Sequence, residues 1–204
     1  MLRFLLIFTF IAHIVCGFCD CLLGYGKNGR IDFKKINDPE AMNKMFDGMP
    51  LWQPMTSMIL GVFAIAMFAF GYLELSRWMY EFNHISAGIM AVGAIIFAVF
   101  IVVHHVICGL VEWFYIRLGR TEEARVTVLE FQKKTMITMI VGYLGLLSFL
   151  IALFVPVVTG QTSLPWWACF INTLPIMIFL IPTKLPAKGN IAGALMCLGL
   201  AILI

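Results

Sequence analysis

Long apolar runs alternate with short charged stretches along this chain, and that rhythm sets its architecture. Residues 85–111 contain no Asp, Glu, Lys or Arg, and neither do residues 135–183. A helix of 18 or more such residues is long enough to cross a hydrocarbon core about 30 Å thick. The pattern predicts helical segments over residues 2–23, 54–73, 84–113, 135–158, 165–181 and 189–204. The third is longer than a crossing needs, so it should tilt or project from the bilayer. Pro175 removes the backbone bond to Ile171 and predicts a kink in the fifth. The last segment makes only about 24 Å of helix and should tuck against the bundle or thin the bilayer locally.

Between the first two segments lies the most polar part of the chain. Asp38 suits a helix cap and Pro39 a first turn, while Met42, Met45, Phe46 and Met49 recur at helical spacing before Gly48 and Pro50 stop it. A short amphipathic helix over about residues 39–47 is expected, lying on the membrane surface or packing its methionines on neighbouring helices. The charged stretch 117–134 reads as a helix solvated on one face. Arg3 ahead of an apolar run also admits a secretory signal, but residues 13–19 offer no small-x-small cleavage site, so the first segment is expected to stay.

Composition agrees with the pattern. Hydrophobic residues make up 62% of the chain and charged residues only 12%, whereas a soluble domain is about a quarter charged. The bilayer is therefore the solvent, and the fold class is all-α, a polytopic transmembrane helix bundle of about six spans forming one domain over residues 1–204. A net charge of +3, scattered along the chain, excludes nucleic acid as a natural partner. Most basic residues flank the apolar segments, where membrane lipids are the expected partner. Only Arg3 and Arg77 fall in the N-terminus and the 2–3 and 4–5 loops; the other twelve Lys and Arg fall in the 1–2, 3–4 and 5–6 loops. The positive-inside rule then places those three loops in the cytoplasm and both termini outside. All five tryptophans sit at predicted segment ends, as interfacial anchors do. The six cysteines lie in or beside apolar segments, which favours free thiols over a disulfide scaffold.

Ionisable groups at membrane depth are costly and are functional candidates by default. His13 and Asp20 are seven residues apart on the first segment, and His105 and Glu112 are seven apart on the third. Each pair shares one helical face, and the two pairs are expected at comparable depths. His104 points about a quarter-turn from His105. Asp20, His105 and Glu112, helped by His13 or His104, are candidate ligands for a divalent metal. The same groups also suit a proton relay or a polar headgroup, or interhelical hydrogen bonds alone. Asn172, three residues before Pro175, adds a buried amide beside a kink. Cys16 and Cys19 have dithiol spacing but lack the loop-borne partner pair that redox relay needs. Small residues such as Gly142 and Gly145, and Ala87, Gly88 and Ala91, allow close helix contact within the bundle or in a homo-oligomer.

The order of these features resembles an uncharacterised bacterial family of six-helix multi-spanning membrane proteins of unknown function. The likeness rests on Cys19-Asp20-Cys21-Leu22-Leu23, on Asp47-Gly48-Met49-Pro50-Leu51-Trp52, on His104-His105, and on Leu164-Pro165-Trp166-Trp167-Ala168 with Asn172-Thr173-Leu174-Pro175. A Gly-Asn-x-x-Gly opening of the last helix, Gly189 to Gly193, completes it. The resemblance implies the six-helix layout and a bacterial inner membrane, and assigns no activity. The residues leave three readings: binding of a lipid or small polar solute in a pocket formed by Asp20, His105, Glu112 and Asn172; an intramembrane metal-dependent or acid/base enzyme; or an accessory subunit whose polar residues lock helices together.

Overall fold

A computed structural model describes residues 1–204. Its helices are α1 (Leu2–Gly24), α2 (Pro39–Phe46), α3 (Trp52–Tyr80), α4 (His84–Arg117), α5 (Glu122–Thr135), α6 (Ile137–Val158), α7 (Thr173–Leu180) and α8 (Lys188–Leu203). Four stretches are long and apolar enough to cross a membrane: α1, α3, α4 and the α5–α6 rod, whose apolar part is α6. They are apolar all round. On α1, Leu6, Ala12 and Cys16 are buried while Phe4, Ile11 and Phe18 stay exposed, the signature of a helix whose outer face meets lipid. Charges ended the predicted second segment at residue 73 but do not end the helix. Glu74 and Arg77 pair across one turn at 3.9 Å, and α3 continues to Tyr80.

The segments close a ring in the order α1, α3, α4, α6, then α7 with the 3-10 helix that precedes it, then α8 back to α1. Close approach is built in: a Cβ on Gly93 would sit 2.6 Å from the Gly145 carbonyl oxygen, so α4 and α6 touch backbone to backbone. One half of the ring is filled by an aromatic stack, with Tyr72 on Phe149 at 4.7 Å and Phe68 on Phe97 at 6.4 Å between centroids. The other half is hollow.

The fifth segment is not the continuous kinked helix that Pro175 predicts. A 3-10 helix, Trp166–Ile171, ends at Asn172, and α7 starts afresh at Thr173. Asn172 lies extended, at φ −61° and ψ 146°, and its side chain caps the new helix. Pro175 falls in the first turn of α7, where a missing N–H costs nothing. The break belongs to the asparagine cap, and the proline merely tolerates it. At 8 and 16 residues, α7 and α8 fall below the length of a full crossing on their own.

All three basic loops meet at one end of the bundle. Arg30 donates to the Lys184 carbonyl at 3.3 Å, and Arg125 donates to the Asn37 carbonyl at 3.0 Å. Arg120 pairs with Asp47 at 2.6 Å, and that guanidinium hydrogen bond holds the Asp47 carboxyl below the usual carboxylate range. At the opposite end Asn83 donates to Gln161 at 2.8 Å. The methionine-rich helix α2 packs its apolar face on protein: Met42 and Phe46 are buried against Ile107, Val111 and Tyr115 of α4. The overshoot of α4 beyond α1 creates that docking face.

Candidate functional site

A hydrogen-bonded chain of side chains runs from the aromatic stack into the hollow half of the ring. Tyr72 Oη on α3 lies 2.9 Å from His13 Nε2 on α1, and His13 Nδ1 lies 3.0 Å from Asn190 Oδ1 on α8. Asn190 Nδ2 donates to Asp20 Oδ2 at 2.7 Å. The amide orientation sets the protons: an oxygen that only accepts requires His13 to donate from Nδ1, so its Nε2 accepts from the tyrosine. The His13 ring also stacks on Phe68 at 4.0 Å, which holds the imidazole plane.

Asp20 then faces His105. Ser57 donates its hydroxyl to the Cys19 carbonyl at 2.9 Å, and His105 Nε2 lies 3.1 Å from the Ser57 carbonyl oxygen. A carbonyl accepts only, so Nε2 carries a proton. Nδ1 of His105 points at Asp20 Oδ1 across 3.9 Å. In a neutral ring that nitrogen is an acceptor, and so is a carboxylate. Two acceptors facing each other need a proton, or a donor brought in from outside.

The imidazoles sit where glycines make room. A Cβ on Gly61 of α3 would collide with the His105 ring, and one on Gly193 of α8 would collide with the His13 ring. Both rings are therefore seated against bare backbone of a neighbouring helix.

Beside this chain lies a cavity of about 690 Å³, lined mainly by apolar side chains but also by His13, Asp20, His104, His105, Glu112 and Asn190. Ile65, Phe68, Phe97 and Leu150 close its deep part, and Phe46, Gln132 and Lys188 lie toward the basic end. Tyr143 is 55% exposed, and it lines this space. The ring is tight where α6 meets the 3-10 helix, yet no substantial packing joins α6 to α7. The wall is thin there, and Leu147 of α6 and Met177 of α7 flank the interior on either side.

The two histidine–carboxylate pairs are staggered rather than level. Asp20 meets His105, so His13 lies two turns toward the far end from Asp20, while Glu112 lies two turns toward the basic end from His105. Extra length in α4, 34 residues against 23 in α1, makes this offset. Glu112 is 3% exposed and lines the cavity, yet its Oε2 has no hydrogen-bond partner. His104 turns to α6, with Nδ1 3.3 Å from Thr138 Oγ1. Asn172 stands apart from the cavity lining: it donates to the Leu150 carbonyl at 2.9 Å and caps α7 by accepting from Leu174 N–H at 3.0 Å. Its surroundings are those of a structural amide. In this arrangement Asp20, His105 and Glu112 are not gathered into one ligand set, and no three His, Cys, Asp or Glu side chains are grouped to hold a metal ion. Cys16 and Cys19 are free, buried thiols.

Sequence reasoning missed Asn190, Tyr72 and Ser57. Asn190 had a signal, as the amide in the Gly-Asn-x-x-Gly opening of the last helix. Tyr72 and Ser57 had none, being ordinary residues of an apolar helix. A profile of DUF6796, a family of unknown function, matches residues 1–203. No curated protein and no solved structure matches the chain.

Proposed function

The chain belongs to DUF6796, and we propose that it is a multi-pass protein of the cell membrane that binds an amphipathic, lipid-like molecule in its intramembrane cavity. The carrying observation is the pairing of a largely apolar space of about 690 Å³ with Asp20 facing His105 Nδ1 across 3.9 Å, a gap wide enough for a donor from outside. An apolar chamber with a few convergent polar groups is the usual form of a small-molecule site. A donor from the ligand, bridging Asp20 and His105, satisfies both. Entry is from the bilayer, through the thin wall between α6 and α7. In this reading the fifth segment and α8 complete six crossings, the termini face outward, and the end carrying the three basic loops is cytoplasmic. The distribution of lysines and arginines supports that sidedness.

Native mass spectrometry tests the reading, on protein released from nanodiscs of phosphatidylethanolamine and phosphatidylglycerol. One amphiphile is expected to remain bound per chain. Asp20→Asn and His105→Ala should each lower the retained fraction about tenfold, equivalent to ~1.4 kcal/mol, with melting temperatures within a few degrees of the parent. Unchanged retention alongside a large fall in melting temperature would show that these groups only lock helices together.

A further inference from the structure

We infer that the amphiphile carries, at its outer end, an amine held as an ammonium by Glu112, two turns of α4 from the donor that Asp20 and His105 share; this rests on the amphiphile-binding reading above and adds a second polar contact to it. Glu112 lines the cavity at 3% exposure, and its Oε2 has no partner. It belongs to none of the ion pairs of the protein. Cys108 and Tyr115, one turn away on either side along α4, bring no positive charge. A buried carboxylate oxygen left without a donor is a costly arrangement, and it persists where a ligand repairs it.

Charge decides which donor fits. The Asp, Glu, Lys and Arg side chains lining the cavity are Asp20, Glu112 and Lys188, and the Lys188 ammonium is already engaged, donating to the Ile181 carbonyl at 2.7 Å. Carboxyl groups therefore outnumber lysines and arginines inside these low-dielectric walls. A hydroxyl would satisfy one lone pair, whereas an ammonium supplies three donors and the missing positive charge together. Position agrees. Glu112 lies five residues before the end of α4 at Arg117, on the side where the basic loops gather. Phe97, deep in the same cavity, lies about 22 Å farther along the helix at 1.5 Å per residue. An amine at Glu112 thus leaves its hydrocarbon chain pointing into the apolar interior.

Dodecylamine and dodecanol, matched in tail and differing in head, test this on the full chain in phosphatidylcholine nanodiscs at pH 7. The parent should bind dodecylamine saturably and at least tenfold more tightly than dodecanol. Glu112→Gln, nearly isosteric, should abolish that preference while binding dodecanol as the parent does, which also certifies its fold. A parent that binds both equally, or a Glu112→Gln variant that keeps the preference, overturns the amine assignment and leaves the pocket reading standing. Failure of both amphiphiles to bind the parent overturns the pocket reading and the amine assignment together.

Discussion

Alanine at Gly61 or at Gly193 is expected to destabilise the bundle by about 2–4 kcal/mol, although alanine is the better helix former by ~1 kcal/mol. The sign follows from what the new methyl group meets. At Gly61 it lands on the His105 ring, and at Gly193 on the His13 ring. Neither ring can step aside freely. His105 is held by the Ser57 carbonyl at 3.1 Å, and His13 is tied to Tyr72 and Asn190 while stacked on Phe68. Overpacking costs roughly 1–3 kcal/mol, and each displaced hydrogen bond adds about 1 kcal/mol. Gly88 is the control, because nothing lies within 4 Å of a Cβ built there. Alanine at Gly88 should be neutral or slightly stabilising. Thermal unfolding in one detergent checks all three, and a Gly61→Ala protein as stable as Gly88→Ala would show that His105 is not seated against α3.

Replacing Asn190 with leucine is the second large effect. The branching is conserved while the amide is lost, so the change removes both bonds that tie α8 to α1. One is accepted from His13 at 3.0 Å and the other donated to Asp20 at 2.7 Å. Interhelical hydrogen bonds in membranes are modest, at about 0.6–2 kcal/mol each. The orphaned His13 N–H and the Asp20 oxygen add desolvation of roughly 1–3 kcal/mol. A loss of about 2–4 kcal/mol is expected, with earlier protease cleavage in the 181–187 loop as α8 loosens. Combining Asn190→Leu with His13→Phe should cost less than the two single changes added together, because the second removes a group the first has already orphaned. Full additivity would mean that the His13–Asn190 bond is not formed.

The parts of the fold that depend on solvent preference were legible in the sequence. Charge-poor runs mark α1, α3, α4 and α6 because lipid demands them, and lysines and arginines mark the loops gathered at one end. Features set by packing were not. How far α4 slides past α1 leaves no periodic trace, so Asp20 opposite His105 could be anticipated as a juxtaposition of helices but not in its two-turn stagger. Pro175 predicts a kink in the fifth segment because proline is the stronger helix breaker in general. Asn172, able to cap a helix and bond the Leu150 carbonyl together, took that role. Which glycine receives which imidazole is likewise a property of the assembled ring. Within the site, the ionisable members stood out by their cost in lipid, while the amide and hydroxyls that join them are too common to stand out.

An experimental density map of the protein in lipid nanodiscs bears most directly on whether the hollow half of the ring is a ligand chamber. The account expects elongated density between Glu112 and Phe97, approaching Asp20 and His105, with α6 and α7 parted on the basic side. A map in which α6 and α7 close on each other and side chains fill that volume would contradict it.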